Sequence, residues 1–311
     1  MAVAELDRET LLTSEEESQF SLVWKRFVRH RLAVFSGVLV IILAVLSFLA
    51  PVISPYVPTE INKDENGRIL RNAPISPEHW MGTDNIGRDV FSRLLYAGRI
   101  SLTIAFTVVI IQETIGAVIG AISGYYGGWI DAIIQRTVEF LITLPSLPLL
   151  LVVSALLRDV QIPFLPPEWS SAFIIIVILS ALGWTGSTVL VRGVVLSLRT
   201  MDFAEAARAL GMSDARIILR HMLPNALPPI IVSATLGLGG TIIVESALSF
   251  LGFGVQPPVP TWGNMLSEYQ SDMWTQPAKV FFPGMAIFIC TLAFNYVGDG
   301  LRDALDPRLK M

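Results

Sequence analysis

The sequence predicts an all-α integral membrane protein with about six transmembrane helices. Three observations predict it: too little charge for a chain in water, apolar residues gathered into blocks long enough to cross a bilayer, and Lys and Arg weighted to one side of those blocks. Of 311 residues, 53% are hydrophobic and 15% charged, against roughly 45–50% and about 25% in a soluble domain. A net charge of −4 offers no electrostatic footing for nucleic acid, so none is expected as a partner. The single cysteine, Cys290, sits inside an apolar block, which excludes a disulfide framework or a cysteine-based zinc site within the chain.

Taken in chain order, residues 1–19 are polar and acid-rich (Glu5, Asp7, Glu15, Glu16, Glu17) and read as a tail in water. A basic cluster, Lys25, Arg26, Arg29 and Arg31, leads into an uncharged run too long for the apolar region of a signal peptide, about 7–15 residues, so it is expected to stay as an anchor. A helix needs about 20 apolar residues to cross the hydrocarbon core. The windows 32–56, 101–124, 132–156, 171–191, 226–253 and 280–297 qualify. Gly116, Gly120 and Gly124 make successive G-x-x-x-G steps in the second, a spacing that lets helix backbones approach closely. Pro145 and Pro148 are expected to kink the third; Gly237, Gly239 and Gly240 loosen the fifth, whose start is blurred by Pro224, Pro228 and Pro229. The segment 57–100 is turn-rich at first and helical in pattern from Asp84 onward, and Asp299 reads as a cap near the end of the last span.

Lys and Arg concentrate in short cytoplasmic loops. With the amino terminus inside, that side collects the basic cluster, Arg136, then Arg192, Arg199, Arg208, Arg216 and Arg220, then Arg302, Arg308 and Lys310, while the later opposite loops hold Arg158 and Lys279. Both termini are expected to be cytoplasmic. Glu113, Glu139 and Glu245 fall within spans, where an acidic group at the helix centre costs about 2.5–3.5 kcal/mol, so each should face protein or water. Two readings stand for them: residues lining a translocation route or gate, or groups paired with a basic group or backbone of a partner subunit or lying near an interface. Arg136 and Glu139 stand at i,i+3 and can neutralise each other.

The most informative stretch is the loop 199–225, RTMDFAEAARALGMSDARIILRHMLPN. Asp202 can cap a helix through Glu205 and Leu210, Gly211 can break it, and Ser213 can cap a second helix that ends before Pro224. A knob this small, carrying Phe203, Ala206, Leu210 and Met212, points to a protein partner. Glu205-Ala206-Ala207, Gly211 and Leu223-Pro224 resemble the EAA motif of ABC importer permeases, with His221 where the consensus has isoleucine. His221 to Asn225 is similar to the variant in permeases of dipeptide, oligopeptide and nickel importers. Gly82-Thr83-Asp84 with Gly87-Arg88-Asp89 and Ser92-Arg93, the run from Glu245 to Gly252, and Gly298-Asp299-Gly300-Leu301-Arg302-Asp303 with Leu305-Asp306-Pro307-Arg308 extend the resemblance from about Arg31 to the end.

The resemblance implies a MetI-like ABC permease fold in the cell (inner) membrane, translocating by alternating access. It implies a cytoplasmic tail (1–31), a first transmembrane helix with an extracytoplasmic segment (32–100), and a five-helix core (101–311) with a coupling loop at 195–225 and a short cytoplasmic C-terminal tail. Glu205, Ala206, Ala207, Gly211, Leu223, Pro224 and Asn225 would contact an ATPase. The implied partners are a second related permease subunit, two nucleotide-binding subunits that hold ATP and Mg, and an extracytoplasmic solute-binding protein; the cargo is expected to be a peptide, with nickel, glutathione and oligosaccharide as alternatives. The chain itself has no G-x-x-x-x-G-K-[ST] phosphate loop, and no catalytic residue or cofactor is expected in it. Gly298-Asp299-Gly300 does not support an aspartyl protease, which needs two carboxylates sharing a proton. Scattered His30, His79 and His221 lack metal-ligand spacing. The rival reading is a proton-coupled secondary transporter using Glu113, Glu139 and Glu245; a membrane scaffold is the third.

Overall fold

The computed structural model describes residues 19–306; the acidic tail before Gln19, and Arg308 and Lys310, lie outside the described residues. Helices α1 (Gln19–Arg29), α2 (Arg31–Phe48) and α3 (Ala50–Ile53) open the chain. Helix α4 (Val90–Tyr126) is followed by α5 (Gly128–Thr143), α6 (Ser146–Leu157), α7 (Pro167–Gly183) and α8 (Thr185–Leu198). Then come α9 (Asp202–Ala209), α10 (Asp214–Ile217), a π turn (Ile218–Met222), α11 (Leu223–Phe250), α12 (Trp262–Tyr269) and α13 (Pro277–Leu305). Five helical stretches are long and apolar enough to cross a membrane, α7 and α8 together forming one of them, and the count is six if α5 and α6, a pair bent by 86°, are taken as one broken span.

Helix α4 begins eleven residues before the expected window, and its 37 residues span about 55 Å at 1.5 Å each. Asp89 starts it by accepting from the Ser92 amide at 2.7 Å. Arg93 and Arg99 in its first turns lower the local hydropathy, which is why the window missed them. The third span breaks at one proline only. Leu144, preceding Pro145, is held extended (ψ 135°) because the proline ring disfavours the α region there. Pro148 falls in the first turn of α6, where its missing N–H has no intrahelical partner to lose.

At the start of the fifth span the expectation of a helix ending before Pro224 is corrected. The chain runs helically from Asp214 to Phe250, passing Pro224 through the π turn, in which the Leu223 amide reaches the Ile218 carbonyl. A proline ring clashes with the carbonyl four residues back, and the wider turn relieves that clash. Asp299 is likewise inside α13, which continues to Leu305, so it caps nothing.

Packing follows from small residues. A Cβ on Gly120 of α4 would lie 2.5 Å from the Thr188 carbonyl oxygen of α8, and one on Gly116 would lie 2.7 Å from that of Trp184, so the α4/α8 pair is a backbone-to-backbone contact. Trp262, Met265 and Tyr269 of α12 are buried among α4, α11 and α13. Leu32, Phe35, Val38, Ile42 and Val45 of α2 are exposed and suit lipid contact. Between α3 and α4, the chain makes the same turn twice: Asp64 Oδ1 accepts from the Asn66 and Arg68 amides (2.9 and 2.7 Å), and Asp84 Oδ1 accepts from those of Ile86 and Arg88 (3.0 and 2.9 Å).

Candidate functional site

The connection from α8 to α11 forms a braced lever. Helix α9 carries Asp202 and Glu205 in its first turn and Arg208 in its last, in the sense its dipole favours. Its N-cap is Met201 rather than Asp202. It ends in a Schellman arrangement: the Gly211 amide donates to the Arg208 carbonyl (2.9 Å) and the Met212 amide to that of Ala207 (3.1 Å). Gly211 adopts φ +76° to make this turn. Ala204 and Ala207 are buried with Val191, Val195, Ile217 and Met222, and Met212 and Leu223 pack on the same cluster. Glu205, Ala206, Gly211, Pro224 and Asn225 face outward, and Leu210 is 85% exposed. Of the residues expected to contact an ATPase, Ala207 and Leu223 therefore lie on the inner side of the lever. His221, in the place of the consensus isoleucine, stands 6.2 Å from the Phe203 ring, and Asn225 Nδ2 donates to its carbonyl at 2.6 Å.

A polar network ties the lever to neighbouring helices. The Tyr125 hydroxyl donates to Asp214 Oδ1 at 2.8 Å, and the Arg208 guanidinium lies over the Tyr125 ring, 5.5 Å from its centre. Arg208 donates to the Arg199 carbonyl (2.8 Å), and Arg199 to the carbonyls of Gly124 (3.2 Å) and Tyr125 (3.4 Å). Arg192 of α8 grips Asp131 of α5 through both oxygens at 2.6 Å each, and Ser123 of α4 donates to the same carboxylate.

The intramembrane glutamates are partnered separately. Glu113 accepts from Ser187 (2.6 Å) and Ser233 (2.8 Å). Glu139 is exposed and pairs with Arg136 at 3.2 Å. Glu245 is 1% exposed and accepts from Ser249 (2.7 Å) and Ser101 (3.3 Å). Among the described residues no hydrogen bond or ion pair joins any two of them. A cavity of about 590 Å³ between α8, α11 and α13 is lined by Gly186, Leu190, Val232, Ser233, Leu236 and Arg302. Another, about 260 Å³, adjoins the broken span and is lined by Gln112, Ser146, Leu150, Gly183, Gly240 and Thr241. Ser233 brings Glu113 to the edge of the first; neither cavity is lined by Glu245.

At the opposite end a second network gives Gly82-Thr83-Asp84 and Gly87-Arg88-Asp89 a structural role that their spacing did not reveal. Arg88 bridges Asp84 (2.6 Å) and Glu268 (2.6 Å), and fully buried Arg93 holds Glu268 at 2.7 Å. This pins the start of α4 to α12. Burial pushes the phenol of Tyr269, beside these charges, well above its ordinary range. Lys279 donates to Asn72 at 2.6 Å, and His79 pairs with Asp89 at 2.9 Å. Truncating one member of a buried ion pair strands the other, at about 3–5 kcal/mol. Arg93→Ala is accordingly expected to lower the melting temperature of the detergent-solubilised protein sharply; an unchanged melting curve would show that Arg88 alone satisfies both carboxylates.

Residues 116–311 match the family model described as the binding-protein-dependent transport system inner membrane component, and residues 18–74 match the N-terminal transmembrane domain of oligopeptide transport permease C. The glutathione transport system permease protein GsiD of Escherichia coli is 42% identical over 287 residues, covering 92% of this chain and 90% of that protein. The dipeptide transport system permease protein DppC of Alkalihalophilus pseudofirmus is 39% identical, covering 92% and 89%. Among solved structures, the MetNI methionine ABC transporter in inward-facing conformations aligns with a TM-score of 0.53 at 19% identity, covering 70% of this chain and 97% of that one. An amino acid ABC transporter crystallised with histidines aligns at 0.50 and 17%, covering 68% and 94%.

Proposed function

The chain belongs to the family of binding-protein-dependent transport system inner membrane components, multi-pass permease subunits of ABC importers, and from that premise we propose how its own residues serve transport. The loop from α8 to α11 is the docking lever for a separate ATPase subunit. The observation that carries this reading is the two-faced helix α9: Ala204 and Ala207 are anchored in the bundle while Leu210 stands 85% exposed at the Gly211 turn. A bare apolar tip on a firmly braced base is what a cleft in a partner can grip and move. Glu205, Ala206, Gly211, Pro224 and Asn225 make the contact; Ala207 and Leu223 transmit it inward.

The proposed assembly has a second related permease subunit, two nucleotide-binding subunits holding ATP and Mg, and an extracytoplasmic binding protein that delivers the solute. The lever faces the cytoplasm, as do both termini, because the short loops on that side carry Arg199, Arg208, Arg216 and Arg220. The relatives named for glutathione and dipeptides support a short peptide as cargo. Proton-coupled secondary transport is set aside, since the family and the solved relatives are ABC permeases.

Affinity purification in mild detergent tests the docking. The tagged chain is expected to carry a subunit with a G-x-x-x-x-G-K-[ST] loop, and Leu210→Cys to cross-link to it. A chain that purifies free of any such subunit, with no Leu210 cross-link in membranes, contradicts the reading.

A further inference from the structure

We propose that Tyr125, with Asp214 and Arg208, is a positioning clamp that carries displacement of the lever sideways into α5, and so to the break in the third span. The inference rests on the docking reading above and adds a route for the motion. Along the chain α9 continues through Gly211 and Ser213 into α10 and α11, and Ala204 and Ala207 pack it against Val191, Val195 and Ile217. The structure supplies a lateral link. Tyr125, the penultimate residue of α4, bonds the first residue of α10 through its hydroxyl (2.8 Å) and lies beneath the cation of α9 through its ring (5.5 Å). The same ring is 8% exposed and packs in the cluster that buries Ala204 and Ala207. Arg208 and Arg199 then close a loop of hydrogen bonds from the lever back to the end of α4.

From there only Gly127 separates α4 from α5. The Arg192–Asp131 pair, two parallel bonds of 2.6 Å, fixes the first turn of α5 to α8. A fork-to-carboxylate pair fixes orientation as well as distance. The lever, the ends of α4 and α8, and the first turn of α5 are therefore joined by side chains on every side. Helix α5 then runs without interruption to Thr143, where the path turns by 86° beside the cavity lined by Gln112, Ser146, Gly240 and Thr241. A rod joined to the clamped end of α4 through Gly127, held there by Arg192–Asp131 and jointed at its far end converts movement of the lever into movement at that cavity.

The test uses the complete importer in proteoliposomes, with uptake and ATP hydrolysis measured on one preparation. Tyr125→Phe keeps the ring, its packing and the stacked guanidinium, and removes only the hydroxyl. It is expected to lower solute taken up per ATP hydrolysed about tenfold, the scale of one hydrogen bond to a charged group, with bound ATPase subunits unchanged. Asp214→Ala should behave alike, and Asp214→Asn, which keeps an acceptor oxygen, should stay near the unsubstituted protein. Unchanged uptake per ATP in both Tyr125→Phe and Asp214→Ala overturns the clamp. So does loss of the ATPase subunits from Tyr125→Phe, because the hydroxyl would then serve docking itself. Failure of the docking reading appears separately, as a missing Leu210 cross-link in a chain with Tyr125 and Asp214 intact.

Discussion

Gly211→Asp is expected to reduce uptake by roughly a hundredfold, about 2.7 kcal/mol, while the chain still inserts and ATP hydrolysis by the partner continues. The residue has φ +76°, a region that costs most L residues about 1–2 kcal/mol and that aspartate and asparagine tolerate better than other side chains. A Cβ there meets nothing within 4 Å. The added side chain therefore clashes with nothing, and the backbone strain it brings is shared by Gly211→Asn. What changes is the tip of the lever, where a negative charge would be carried into the partner's cleft. A charge buried at an interface without a partner costs several kcal/mol, so engagement fails although nothing in the bundle has moved. Gly211→Asn, with similar backbone freedom and no charge, should lose far less. Equal losses in the two variants would place the effect in the backbone instead. Uptake and ATP hydrolysis in proteoliposomes, with the melting temperature as a control, read all three quantities.

The second large effect is at the α4/α8 crossing. Gly120→Leu is expected to prevent recovery of monodisperse protein from the membrane, and Gly120→Ala to destabilise by about 1–3 kcal/mol or more, the usual cost of overpacking. The nearest atoms to the added Cβ are the Thr188 carbonyl oxygen (2.5 Å), Val191 Cβ (3.0 Å) and the Arg192 amide nitrogen (3.1 Å). Two of these are backbone, so no rotamer change relieves the clash and the helices must part. Parting them also strains the Glu113–Ser187 bond, which joins the same two helices, and Arg192–Asp131, which ties α8 to α5. Gly193→Ala is the control. That glycine is on α8 as well, but its Cβ would meet nothing within 4 Å, so alanine should be neutral or gain up to about 1 kcal/mol of helix propensity. Size-exclusion profiles and thermal melts of the three variants separate these outcomes.

The crossings were legible in the sequence because a bilayer imposes a length that an apolar run either meets or does not. Their edges were less so. Arg88, Arg93 and Arg99 mark the start of α4 as polar, and only the partners Asp84 and Glu268 explain how the first two fold inward. Pro145 announced its break through a local steric rule. Pro224 misled, since a π turn that carries helix past a proline depends on packing that no window of sequence contains. The lever was visible as residues of the right type, Glu205, Ala206 and Gly211, yet its two faces were not, because Ala207 is inward only once Val191 and Val195 lie beneath it. Glu245 was marked by its cost in lipid, but its hydroxyl partner Ser101 lies 144 residues away in the chain. The Tyr125–Asp214 contact spans 89 residues and left no local trace. The repeated turn at Asp64 and Asp84 could have been found, since Asp64 to Arg68 and Asp84 to Arg88 share aspartate, glycine and arginine at the same spacing.

Reconstitution tests the central claim most directly. Vesicles containing the permease pair, the nucleotide-binding subunits and the external binding protein should accumulate a short peptide when ATP is present on the lever side, and stop when the nucleotide-binding subunits are left out. Accumulation by the permease alone, driven by a pH gradient and lost in Glu245→Gln, would contradict it.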